Sequence, residues 1–256
     1  MEETKHQYPT EEVTLPSKGL IYPEESPLKK GAIEMKYMTA REEDILTNQN
    51  YIKSGIVIDK LLESLIVTPI DYNELLTGDK NAIMVAARIL GYGEKYDFKY
   101  KNPSTGEHEN VTIDLTTIED KPLNEALFSS GKNSFDFILP ASKLPITFKF
   151  LTHGDEKAIE AEIKGLKKIN KESTFDLSTR MKYIITSING DFEKATIRTF
   201  VDNQLLARDS RALRNHIKEI IPDVDLTFDF EGLNGHLEEK INLPINVNFF
   251  WPDASV

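Results

Sequence analysis

Polar and apolar positions alternate with period two through Ile33, Met35 and Tyr37, the pattern of a half-buried strand. Thr39 followed by Glu42 is a capping box, which predicts that strand gives way to helix at Thr39. Between Ser54 and Ile66 the residues Ile58, Leu61, Leu62, Leu65 and Ile66 recur at helical offsets and form one continuous face. A second helix, from about Asp79 to Leu90, carries Ile83, Met84, Val85, Ala86, Ala87, Ile89 and Leu90. So many apolar residues leave no broad face for water, so this helix should be central, with Gly91 or Gly93 ending it at positive φ. Period two returns in Tyr96–Phe98–Tyr100 and in Val111–Ile113–Leu115, separated by Asn102–Pro103–Ser104–Thr105–Gly106, which predicts a β hairpin with an oversized connection.

A charged, proline-marked stretch at Glu119–Pro122 precedes strand-like runs at Phe135–Leu139 and Ile146–Leu151. Helical composition follows at Asp155–Ile169, and Phe175, Leu177, Met181, Ile184, Ile185 and Ile188 continue at helical spacing over Thr174–Ile188. Thr196–Leu206 and Asp209–Ile221 read as two further helices, the last with Asp209 as its N-cap and Pro222 as its stop. Alternation in Val224–Leu226–Phe228–Phe230, the loop Glu231–His236 and a return through Ile241 and Leu243 to Val247 and Phe249 predict a closing hairpin. Both halves thus run from helices to a hairpin. No solenoid-type repeat is visible.

At 256 residues and 39% hydrophobic content the chain can bury a sizeable core. Its 42 acidic against 31 basic residues give a net charge of −11, which opposes general binding to nucleic acid or anionic lipid. No window approaches a membrane span, and the acidic, polar Met1–Glu12 does not resemble a signal peptide, so a soluble cytoplasmic protein is expected. Zero cysteines exclude disulfides, thiolate metal sites and cysteine nucleophiles.

Catalytic chemistry finds little support. His6, His108, His153, His216 and His236 are scattered, none paired at the spacing of a metal-binding helix. Asp209, Ser210 and His216 fall on one predicted helix, but a six-residue offset points Ser210 and His216 apart, so a cap and solvated polar residues are expected rather than a triad. Gly91–Tyr92–Gly93 lacks the strand and third glycine of a phosphate-binding turn, and the acidic runs at Glu42–Asp44 and Asp223–Asp225 lack calcium-loop spacing. Two apolar segments invite a partner. Val13–Pro23 reads as an extended arm that packs on its own chain or adds to another. Phe249–Phe250–Trp251–Pro252 sets three rings beside the terminus, where they either close the protein's own core or dock on another protein.

Several segments, taken in order, resemble the T4-like phage baseplate hub assembly family of contractile-tailed phages. They are Leu15–Leu20 with Tyr22–Pro23, Met38–Leu46, Gly78–Asn81 leading into Ala87–Arg88, Asp209–Arg214, Pro222–Leu226 and the closing Phe249–Pro252. Relatives carry Cys-x-x-Cys-Gly knuckles where this chain has Asn102–Gly106 and Glu231–His236, so the resemblance implies two hairpins like those of a zinc ribbon that has lost its metal ligands. It predicts metal-free turns shaped by Pro103, Gly106 and Gly235, side-chain hydrogen bonds in place of coordination, and hairpins that still lie against each other.

The expected fold is α+β: an extended N-terminal arm over 1–23, a helical lobe with its hairpin over 24–118, and a second helical lobe with hairpin and aromatic tail over 119–256. The resemblance implies a non-enzymatic tail protein without cofactor or metal that binds baseplate hub subunits and promotes hub assembly, as chaperone or retained subunit. A permanent structural subunit, or a phage hydrolase or transferase with its site between the lobes, are the alternatives. Leu15, Leu20, Tyr22, Phe249, Phe250 and Trp251 are the expected partner anchors. Nucleic acid and membrane are not expected partners, and the expected place is the host cytoplasm during assembly or the virion tail.

Overall fold

The computed structural model describes residues 9–128, 131–169 and 176–251. Strand β1 (Thr10–Thr14) pairs antiparallel with β2 (Ala32–Lys36), Val13 opposite Ile33, so the arm turns back on its own chain. The loop between them is tight. Gly19 has φ +72°, and a Cβ there would fall 2.3 Å from the Lys29 carbonyl oxygen, so glycine alone fits. At the start of α1 (Ala40–Leu46), Thr39 donates its N–H and its hydroxyl to Glu42 Oε2 at 3.0 and 2.6 Å. Burial pushes the Glu42 carboxyl up, but donors from Lys36, Thr39 and Ser64 outweigh it and hold the pKa at about 2.

After α2 (Gln49–Ser54), α3 (Val57–Leu65) buries Val57, Leu61, Leu62 and Leu65, close to the face its periodicity marked. Helix α4 (Thr77–Tyr92) is central, burying Ala82, Ile83, Val85 and Ala87, and stops at Gly93 with φ +84°. Arg88, buried near its end, donates to the carbonyls of Gly93 and Lys95 at 3.0 and 2.9 Å, joining the helix to the hairpin of β3 (Lys95–Lys101) and β4 (His108–Asp114).

In the second half β5 (Phe135–Ile138), β6 (Pro145–Phe148) and β7 (Ile185–Ile188) form an antiparallel sheet in that order. Around it lie α5 (His153–Ile169), α6 (Asp176–Ile184), α7 (Lys194–Asn203) and α8 (Ala207–Ile220). The helix expected through Ile188 stops at Ile184, because Ile185–Ile188 pairs with β6, Ile188 opposite Ile146. The start of that helix at Thr174 and Phe175 lies outside the described residues. Hairpin β8 (Thr227–Glu231) and β9 (Leu237–Asn242) closes the chain. The strand expected to run on to Phe249 ends at Asn242, and Phe249 and Phe250 sit in a short helix, α9 (Val247–Phe250).

The architecture is mixed helix with small antiparallel sheets, an α+β fold. Buried side chains from Leu15 through Phe250 belong to one hydrophobic cluster that spans both halves of the chain.

Candidate functional site

Three of the segments singled out in the sequence meet at the start of α4. Asp79 is fully buried and accepts three hydrogen bonds from the arm: Ser17 N at 2.9 Å, Ser17 Oγ at 2.7 Å and Tyr22 OH at 2.6 Å. The Tyr22 hydroxyl in turn accepts the Leu76 N–H at 3.0 Å. Burial pushes the Asp79 carboxyl up, and the Tyr22 and Ser17 donors pull against it. The third segment arrives from the other half. A Cβ on Gly78 would fall 1.9 Å from the Pro222 carbonyl oxygen, so Gly78 permits the contact. Asn81 Nδ2 then donates to Asp223 Oδ1 at 2.9 Å, and Lys121 pairs with Asp223 Oδ2 at 2.8 Å. These residues fasten arm, central helix and C-terminal half together.

The aromatic tail is fastened too. Phe249 and Phe250 are 0% exposed, with centroids 5.0 Å apart, and Phe249 meets Tyr96 edge-on at 4.9 Å. Tyr96 OH donates to the Pro244 carbonyl at 3.0 Å, holding the approach to α9. Of the anchors expected for a partner, Leu15, Tyr22, Phe249 and Phe250 lie inside this protein's own core. Burying such rings against the same chain removes their apolar area from water without a second protein. Leu20 and Trp251 are half-buried against that core. Pro252 lies outside the described residues.

The two hairpins lie against each other. Phe98 and Tyr100 of β3 meet Phe228 edge-on at 5.3 and 5.7 Å, and Tyr100 meets Phe230 at 4.8 Å. At the tips Asn102 Nδ2 donates to Asn234 Oδ1 at 3.1 Å and to Glu109 Oε1 at 2.8 Å, while Glu109 Oε2 accepts the Leu233 N–H at 2.9 Å. Asn102 Oδ1 also accepts the Ser104 N–H at 2.8 Å, and Gly106 and Gly235 take φ of +75° and +78° to close their turns. Side-chain amides thus join the loops.

The family described as T4 bacteriophage base plate protein matches this chain over residues 10–251. The chain belongs to the T4 base plate protein family. No curated protein and no solved structure matches it. Membership gives the chain a baseplate-related structural or assembly role in a phage tail.

In this base plate protein the Asp209–Ser210–His216 set does not assemble. Asp209 lies within the first turn of α8, where it accepts the Ala141 and Ser142 N–H groups at 2.7 and 3.0 Å, and His216 stacks on Phe137 at 4.9 Å. A convergent polar cluster that sequence reasoning missed joins α3, α4 and α5. Asp59 Oδ1 accepts from Lys80 Nζ at 2.6 Å and Tyr72 OH at 3.2 Å, and His153 stands 3.5 Å from Asp59 Oδ2 and 3.3 Å from Lys80. Burial, then the Lys80 ammonium, holds the His153 pKa below its ordinary value. The cluster borders an open groove of about 710 Å³, yet its groups are spent on one another, and Ser54 and Thr77 are the only hydroxyl residues on the groove's rim. Its members stand 59 to 153 in the chain, and no local spacing signals it. Among the described residues no group of three or more His, Asp or Glu could hold a metal, and no helix is long and apolar enough to cross a membrane.

Proposed function

We propose that this base plate family protein binds baseplate hub subunits through its folded body and promotes hub assembly without catalysing a reaction. The reading is carried by the family match over residues 10–251, joined to the way arm and tail are locked into one body. A surface already formed before binding loses little chain entropy on docking, which suits a component that must add in a fixed orientation. Retention as a subunit is favoured over transient chaperoning, because the rings a chaperone would offer to unassembled clients are withdrawn: Phe249 and Phe250 are fully buried. The facing hairpins fit a zinc-ribbon-like pair in which Asn102 and Asn234 bond where thiolates would have met. The Asp59–Lys80–His153 groove is what a hydrolase or transferase reading would use, and its mutually satisfied groups speak against it.

On this reading the protein acts in the host cytoplasm during assembly and stays in the tail. Quantitative mass spectrometry of purified virions tests retention. A fixed copy number per particle is expected, and its absence from infectious particles would make the protein a transient factor.

A further inference from the structure

The outer face of α8 carries chemistry that the fold does not use. Asp209, Ser210 and Leu213 face inward, and the Asp209 carboxylate pins the helix to the β5–β6 turn. At about 100° per residue, Arg208, Arg211, Arg214 and Lys218 fall within an arc of roughly 120° on the opposite side, a stripe about 15 Å long. All four are exposed. None makes an ion pair or hydrogen bond with a described residue. Some cations elsewhere are engaged, Lys36 with Glu42, Lys80 with Asp59, Lys121 with Asp223, Arg180 with Glu156 and Arg198 with Glu162. Like charges at these spacings destabilise a helix, so in a chain of net charge −11 the stripe is a local cost without an internal return.

We propose that this stripe docks a carboxylate-rich segment of another baseplate protein; the proposal rests on the hub-binding reading above. Planar guanidinium forks bind carboxylates in pairs of parallel hydrogen bonds, and three of the four cations are arginines. Length selects protein over nucleic acid. A duplex carries a charge about every 1.7 Å and continues past a stripe of about 15 Å onto the rest of an acidic chain, whereas an acidic segment can end where the stripe ends.

The test is co-expression of the full chain with each of its phage's other baseplate subunits, isolating binary complexes at about 0.15 M salt, where charges interact over about 8 Å. One subunit should bind wild type, and Arg208→Gln, Arg211→Gln and Arg214→Gln together should weaken that complex on the order of 30-fold while the free chain keeps its stability. Carbodiimide treatment should join Lys218 to a partner carboxylate. Exchanging the charges, Arg211→Glu and Arg214→Glu against Lys at that partner's carboxylates, should restore binding. Equal affinity of the Gln variant for the same subunit overturns the stripe and leaves the hub reading standing. Failure of wild type to bind any subunit overturns both. Stripe-dependent self-association in sedimentation, or stripe-dependent binding to a duplex DNA probe, would replace the acidic partner by a second copy or by nucleic acid.

Discussion

Replacing Phe250 with alanine separates a core plug from a partner anchor. The ring is fully buried in α9, edge-on to Phe249, and α9 packs against the central helix α4. Truncating a ring in such a place loses its transfer free energy and leaves a cavity, together about 3–5 kcal/mol. A domain has only about 5–15 kcal/mol in all, so the loss is a large share. In urea unfolding of the isolated protein, followed by circular dichroism, the midpoint should fall by roughly 1–2 M with the slope unchanged. Phe192→Ala is the control. That ring is 67% exposed, and its loss should shift stability by no more than about 0.5 kcal/mol. If Phe250→Ala behaves like the control, the tail is not part of the core, and the reasoning from burial fails.

Gly78→Ala should destabilise by about 1–3 kcal/mol in the same assay, although alanine is the better helix former by about 1 kcal/mol, because its Cβ would collide with the Pro222 carbonyl; a stabilised variant would disprove the close approach. His153 is held below its ordinary pKa of 6.5, so as pH falls the unfolded chain takes up the proton first. Its contribution is complete above about 6.5 and is lost as pH drops below that toward the folded value, so urea midpoints of wild type should fall between about pH 7.5 and 5.5 more steeply than those of His153→Gln. Cysteines at Asn102, Thr105, Glu231 and Asn234 together should create a tetrahedral zinc site, read as cobalt charge-transfer absorbance and a zinc-dependent rise in Tm. Metal uptake by wild type equal to that of the variant would contradict the hydrogen-bonded account of the hairpin tips.

Local signals in the sequence located much of this fold. The Thr39–Glu42 capping box, the apolar α4 with its Gly93 stop and both hairpins stand close to where their patterns put them. What misled was chemistry decided elsewhere in the chain. Ile184, Ile185 and Ile188 suit a helix, but β6 recruits Ile185–Ile188 as its neighbour, and no period within the segment reports that choice. Asp209 has the composition of a cap, yet lies inside the first turn of α8, past the cap at Leu206, and its carboxylate serves the β5–β6 turn instead. The clustered rings at Phe249–Trp251 announced buried area but not whose core they fill, since hydrophobicity has no address. Likewise the Asp59–Lys80–His153 cluster exists only after three helices have packed.

The most direct test of a baseplate assembly role is electron microscopy of particles made by the phage when the gene for this chain is deleted and then supplied in trans. The account predicts tails that fail to complete a baseplate, restored by wild type. Intact contractile tails with normal baseplates in the deletion would contradict it.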